Sequence, residues 1–244
     1  MKRLICIILV LLLLACACAA AEEAVSTDRA AETDTGREDT FHSSGEPVDG
    51  PESYRRAAEQ GNAEAQCKLA ECYANGRGVE RNMTEAAKWW WCAAEQGYAD
   101  AQFYLGWCYK NGDGVPQSYA EAAKWWRRAA EQGDIRAQAD LGCCYAFGCG
   151  VPQDYTEAVK LWRSSAEQGD PEAQFNLGMS YASGNGVPQD YTEAVRWWYL
   201  AAEQGDVYAQ YYMGVCYDNG YGVVRDPEKA KYWYTLAVQN GYGA

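Results

Sequence analysis

The chain has 244 residues, and 34 acids against 21 bases give it a net charge of −13. Nucleic-acid binding needs a basic stripe that displaces counterions, whereas residues 51 onward hold 25 acids and 17 bases, with the acids dispersed. The single histidine, His42, precedes that region, which excludes a Ser-His-Asp triad, a Cys-His pair or a histidine-ligated zinc within it.

The first element, residues 1–21, reads as an export signal. MKRLICIILVLLLLACACAAA carries two cations, twelve apolar residues from Leu4 to Ala15, and then small residues. A bilayer-spanning helix needs about 20 apolar residues, so this stretch is too short. Leu13-Leu14-Ala15-Cys16 resembles a bacterial lipobox, with Cys16 as the lipid-carrying residue, while Ala17-Cys18-Ala19 or Ala19-Ala20-Ala21 would serve ordinary signal peptidase. The expectation is a lipoprotein of the periplasm or outer membrane, held to the membrane only by that anchor, with free secretion as the alternative. Residues 22–50 follow, with nine acids, two arginines and few large apolar side chains. They are expected to form a disordered acidic tether, with an r.m.s. reach of about 30 Å.

From residue 51 one period dominates. AAEQG stands at residues 57–61, 93–97, 129–133 and 201–205, with SAEQG at 165–169 and AVQNG at 237–241. Aligned on that glycine, residues 62–97, 98–133, 134–169, 170–205 and 206–241 are five gap-free copies of 36 residues; residues 51–61 match the second half of one, and 242–244 are a tail. Each copy predicts two helices. In the first, Ala101, Leu105, Cys108 and Tyr109 illustrate an apolar face at i, i+4, i+7, i+8. Gly106 and its equivalents on that helix are expected to permit close helix approach, and Gly112 and its equivalents to end it in a left-handed cap. The second helix is predicted to start at Asn82, Ser118, Asp154, Asp190 or Asp226, four of these with a glutamate three residues on that resembles a capping box. The glycine of AEQG closes it.

A hairpin of this size cannot bury its own apolar stripe, so neighbouring copies must stack into a continuous core. The predicted fold is all-α, a right-handed α/α solenoid of five helix-turn-helix units plus the N-terminal part-unit. The motifs AxAQxxLGxxYxxGxGV and EAAKWWxxAAEQG closely resemble the Sel-1-like repeat family, relatives of the tetratricopeptide repeat with a longer turn between helices. The resemblance covers residues 51–241 and departs at the ends, where no full capping helix is visible. It implies an adaptor that holds protein or peptide partners on the solenoid surface.

Chemistry fares less well. Gly112-Asp113-Gly114-Val115 and its equivalents follow a helix, whereas phosphate-binding loops follow a strand, so they read as caps and turns. Cys72, Cys108, Cys144 and Cys216 share one column and read as small buried residues; equivalent helices ~8–10 Å apart put them beyond disulfide reach. Off-column Cys67, Cys92, Cys143 and Cys149 could pair in an oxidising compartment. No cofactor or metal motif stands out. Some cysteine-rich relatives are linked to β-lactam binding or hydrolysis, but SxxK, SDN and KTG are absent and the cysteines miss the helix-end positions those relatives use. A weak cysteine-dependent or β-lactam-directed hydrolase therefore stays only as an alternative to a non-enzymatic reading.

Recurring columns should be core and varying columns surface. The Trp columns of Trp89 and Trp90 are assigned to the core, and Trp91, whose column holds Arg127, Arg163, Tyr199 and Thr235, to the surface. The varying columns of the first helix fall on one face, and in copies two to five they place Tyr104, Trp107, Phe147, Met179, Tyr208 and Tyr212 there. Together with the polar Asn111 and Asn219, these are the candidate partner-binding residues of a concave groove; Asn75 and Ser183 occupy the same column as the two asparagines. Tyr104→Ala with Trp107→Ala is expected to abolish partner capture with melting little changed. Tyr232 replaces a Lys or Arg in the last copy, which suggests an apolar end and self-association through the C-terminal repeat. The overall expectation is a non-enzymatic adaptor of the bacterial envelope, with a secreted host-interacting factor and a structural oligomer joined end to end as alternatives.

Overall fold

The computed structural model describes residues 50–243. The export signal, Cys16, His42 and residues 22–49 of the tether lie outside the described residues. Among those described there are eleven helices and no strand: α1 Pro51–Glu59, α2 Ala63–Asn75, α3 Met83–Glu95, α4 Ala99–Asn111, α5 Tyr119–Glu131, α6 Ile135–Phe147, α7 Tyr155–Glu167, α8 Pro171–Ser183, α9 Tyr191–Glu203, α10 Val207–Asn219 and α11 Pro227–Gln239. Each packs against the one before and the one after, which is the solenoid that the period requires. The first helices of the copies are α2, α4, α6, α8 and α10. The second helices are α3, α5, α7, α9 and α11, and α1 takes the place of a second helix ahead of α2. None of the described helices is long and apolar enough to cross a membrane.

The helix ends follow the sequence with one correction. Asn82, Ser118, Asp154, Asp190 and Asp226 each accept a hydrogen bond from the backbone N–H three residues on. The reciprocal arm of a capping box is not formed. Glu85, Glu121, Glu157 and Glu193 instead pair with Lys88, Lys124, Lys160 and Arg196. The physical reason is that the N-cap N–H is already taken: Asn82 donates it to the Tyr73 carbonyl at 2.8 Å, and Ser118 to Tyr109 likewise. With no free donor behind it, the glutamate turns forward to a cation.

Close approach inside each copy depends on Gly106, Gly142 and Gly178. A Cβ on Gly106 would lie 2.5 Å from Trp126 Nε1. Its absence lets the indole N–H donate to the Phe103 carbonyl at 3.2 Å, and Trp162 and Trp198 do the same to Ala139 and Phe175. Copy one has Ala70 at this position, and there the Trp90 indole does not bond to a backbone carbonyl and lies beside the Cys67 thiol instead. One methyl group thus separates an indole bonded to a backbone carbonyl from one left beside a thiol.

Between copies the second glycine of GxGV makes the join. Gly150 has φ +74°, and a Cβ there would lie 2.3 Å from the Tyr119 carbonyl at the start of α5; Gly114 stands the same way over Met83. The motif is therefore more than a cap and turn, since it seats each copy on the previous second helix.

A ladder of buried glutamines completes the join. Gln102 donates to the Ala94 carbonyl at 3.1 Å and accepts from Gln132 at 2.8 Å. Gln66, Gln138, Gln174 and Gln210 repeat the pattern with Gln96, Gln168, Gln204 and Asn240. The Gln of AAEQG is thus a hydrogen-bond donor to the Gln of AxAQ, a role that the sequence reading did not assign although both letters recur.

Candidate functional site

The varying face of the first helices is partly exposed, and its aromatic residues fall into two groups. At α4, Tyr104 is half-buried and stacks on Trp90 of the preceding copy, with centroids 5.1 Å apart and planes 16° apart. Trp107 is half-buried beside it. At α10, Tyr212 stacks on Trp198 at 5.0 Å and 25°, and Phe175 lies 5.9 Å from Tyr212 and 6.1 Å from Tyr208. Tyr208 is 43% exposed and Phe147, between the two groups at the end of α6, is 40% exposed. Trp91, on the outer face, is exposed as expected.

Three assignments change. Met179, expected on the surface, is buried at 9% exposure, because α8 turns this position into the interior. Asn219 is exposed, but its amide donates to the Val215 carbonyl of its own helix, as Asn75 does to Glu71 and the Ser183 hydroxyl does to Met179; Asn111 makes no such bond. Tyr104 and Tyr212 are half floor and half surface, so truncating Tyr104 also removes a stack worth about 0.5–1.5 kcal/mol beyond its buried area. The Tyr104→Ala, Trp107→Ala double variant is therefore expected to melt below the parent.

The last copy is corrected too. Tyr232 is 59% exposed, but Lys88, Lys124, Lys160 and Arg196 of the same column are exposed in copies that have neighbours. It lies on the outward face rather than at an uncovered end. Val238 is 65% exposed, whereas its equivalents Ala94, Ala166 and Ala202 are buried. Tyr242 covers part of that end by stacking on Tyr211, with centroids 4.4 Å and planes 10° apart. The sequence signal was its register, 36 residues after Asp206, where a further first helix would be capped.

All eight described cysteines are free thiols. Burial pushes Cys67, Cys108, Cys144 and Cys216 up to about 12. A nucleophile must be a thiolate, so these four remain protonated at neutral pH. Among the described residues no group of three or more His, Cys, Asp or Glu side chains could hold a metal ion.

Charge is unevenly placed. The second helices α1, α3, α5, α7, α9 and α11 carry eleven acids and eleven bases, whereas the first helices with their N-cap aspartates carry nine acids and three bases. Those three bases are all paired: Lys68 with Glu71, Lys110 with Asp140, and Arg136 with both Asp100 and Asp134. Arg136, read from sequence only as one varying surface residue, also lies 4.2 Å from the Phe103 ring centroid and 5.5 Å from that of Tyr104.

The equivalent of Asp134 in the last copy is Asp206, the N-cap of α10, accepting from Ala209 N–H at 2.6 Å. Burial pushes its carboxyl up to about 6; the Ala209 N–H pulls it down and Glu172 adds to the rise. The folded state therefore holds this proton more tightly than the unfolded chain, so stability contributed here is present below about 4 and lost as pH rises through about 6. Asp206→Asn keeps an amide cap of the kind that Asn62 supplies to α2. It should stabilise the protein by about 1–2 kcal/mol at pH 7.5 and by less at pH 4, as read by urea denaturation at the two pH values.

The Sel1 repeat model matches residues 54–62, 63–98, 99–134, 135–170, 171–206 and 207–242, nearly the whole described chain. The chain belongs to the Sel1 repeat family. Arrays of this repeat are generally protein-interaction scaffolds. Among solved structures, a protective antigen present in uropathogenic Escherichia coli strains, displaying an SLR fold, is similar at 41% identity and a TM-score of 0.76 over 79% of this chain. The chain spans only 41% of that protein's length. A Sel1 repeat protein from Oxalobacter formigenes is similar at 38% identity and a TM-score of 0.72, covering 78% of each chain. An immunity protein from Pseudomonas aeruginosa shares the fold at 20% identity and a TM-score of 0.53, over 79% of this chain and 73% of its own. No curated protein matches the chain.

Proposed function

We propose that the protein is a non-enzymatic scaffold that holds a protein or peptide partner along the face of its first helices, exported and lipid-anchored in the bacterial envelope through Cys16. The observation that carries the reading is the row of partly exposed aromatic residues, Tyr104, Trp107, Phe147, Tyr208 and Tyr212, on a face whose neighbouring columns are closed by packing. Aromatic side chains presented by rigid helices lose little conformational entropy on binding and are favoured as interface anchors. The export signal supports the location, and the similar Escherichia coli protein is a protective antigen, which supports a protein met from outside the cell.

The test is in-cell crosslinking of the tagged full-length protein, read by mass spectrometry. Because Tyr104 and Trp107 both pack against the core, the variant is Phe147→Ala, which truncates an exposed ring. A partner captured by the parent and reduced at least tenfold in the variant, at an unchanged melting temperature, is the expected result. Identical capture by both proteins removes this face as the binding surface.

A further inference from the structure

Each first helix ends in the same left-handed cap, so one turn can be compared in five copies. The residue after the capping glycine donates its N–H to the carbonyl five residues back: Arg77 to Cys72, Asp113 to Cys108, Cys149 to Cys144, Asn185 to Ser180 and Tyr221 to Cys216, at 2.9–3.1 Å. Such a bond brings the side chains of the two residues it joins together. The inner position is cysteine in four copies, whereas the outer one is cysteine only at Cys149. Among the described residues, α6 alone therefore ends with a thiol on each side of its cap. A carbonyl oxygen lies about 2.4 Å from its own Cα and an amide nitrogen about 1.5 Å from its own, so the 3.0 Å bond holds the Cα atoms of Cys144 and Cys149 within about 6.9 Å. A disulfide spans about 4.4–6.8 Å and fails beyond about 7 Å. Cys149 packs against the cluster that buries Cys144. Cys143 is turned toward α8, where the Asn176 amide donates to its sulfur at 3.8 Å.

We propose that Cys144 and Cys149 are an oxidation site: thiol–disulfide exchange joins them in a bridge that staples the end of α6. The reaction takes an external disulfide as co-reactant, which an oxidising compartment supplies. Cys149, the more exposed of the two, gives its S–H proton to water and attacks one sulfur of that disulfide as a thiolate, and the first external thiolate leaves. Cys144 then loses its own proton to water and attacks the Cys149 sulfur, breaking the mixed disulfide and expelling the second external thiolate. Two protein thiols are oxidised to one disulfide, and one external disulfide is reduced to two thiols. Burial, with Asp140 and Cys149 nearby, raises the Cys144 thiol to about 12, so closure rather than the first attack sets the rate. The six-residue ring encloses Phe147 and Gly148 and ends one residue before Gly150, whose left-handed backbone lies against the start of α5. Oxidation therefore fixes both the backbone that presents Phe147 and the seat of copy three on copy two. The inference goes beyond the scaffold reading and does not depend on it.

The experiment equilibrates the full chain with glutathione disulfide at about pH 8, where thiolate is available, blocks the remaining thiols with N-ethylmaleimide, and digests with trypsin and chymotrypsin without reduction. Cleavage after Tyr145 and Phe147 leaves Cys144 and Cys149 on separate peptides, so mass spectrometry should find these joined, and parted again by dithiothreitol. The link should persist in Cys143→Ser and be lost from Cys149→Ser. Cys144→Ser should also lose it and still fold, because Ser180 fills the equivalent position with its hydroxyl donating to the Asn176 carbonyl at 3.0 Å. Asp113→Cys should transplant the pair to copy two, adding a link to Cys108 that the parent lacks. Oxidation should raise the parent's melting temperature by about 4–8 °C and move that of Cys149→Ser by less than about 1 °C. Recovery of Cys149 only as a maleimide or glutathione adduct, loss of the link from Cys143→Ser, its persistence in Cys144→Ser, no new link in Asp113→Cys, or equal melting of the oxidised and reduced parent would each overturn the assignment.

Discussion

Gly150→Ala will lower stability by about 1–5 kcal/mol. An L-residue in the left-handed region costs about 1–2 kcal/mol. The new Cβ would also stand 2.3 Å from the Tyr119 carbonyl oxygen and carbon, a collision with backbone that no rotamer change relieves, adding about 1–3 kcal/mol. The reduced entropy of the unfolded chain returns at most about 1 kcal/mol. Because each copy touches only its neighbours, the damage should be local. Hydrogen exchange is expected to accelerate around the α5–α6 and α6–α7 junctions and to stay slow in α9 and α10. The check is guanidinium denaturation with exchange mass spectrometry, and a variant that unfolds at the parental midpoint would show that the loop moves away freely.

Gln102→Leu should cost about 1–2 kcal/mol although leucine nearly conserves volume. The side chain is 3% exposed, donates to Ala94 and accepts from Gln132. Substitution removes one of the donors to the Ala94 carbonyl, which keeps the Gly97 N–H at 3.0 Å, and takes the acceptor from Gln132; a hydrogen bond of this kind is worth about 0.5–1.5 kcal/mol. Gln132 is more accessible and can turn to water. Gln132→Leu should therefore cost less than half as much, and a melting comparison of the two variants distinguishes a buried polar relay from generic packing.

Repetition made most of the architecture legible. The 36-residue period, the left-handed caps at Gly112 and its equivalents, and the small-residue role of Gly106 all follow from comparing copies of one chain. What repetition does not reveal is which of two satisfied arrangements a polar group chooses. Glu85 looked like half of a capping box because the Tyr73 carbonyl that already holds the Asn82 N–H is distant in the argument from local spacing, though only nine residues away. The candidate face was legible as a set of columns and less so as individual residues. Phe147 and Tyr208 are as exposed as their columns imply, while Met179 is buried and Tyr104 leans onto Trp90, because curvature and neighbour size decide how far a column opens. Arg136 was visible in the sequence as one more varying residue; its pairing with Asp100 exists only across copies and needed coordinates.

The glutamine relay has a consequence for how such a chain can change. Every donor lies eight residues after one acceptor, and every second donor thirty residues after the first, as with Gln102 and Ala94 and with Gln132 and Gln102. Removing or duplicating any 36-residue stretch preserves both offsets, so each amide meets an identical carbonyl across the new junction. Unequal recombination can therefore lengthen or shorten the array in whole units without creating a buried orphan, while a slip of any other length breaks the relay at once.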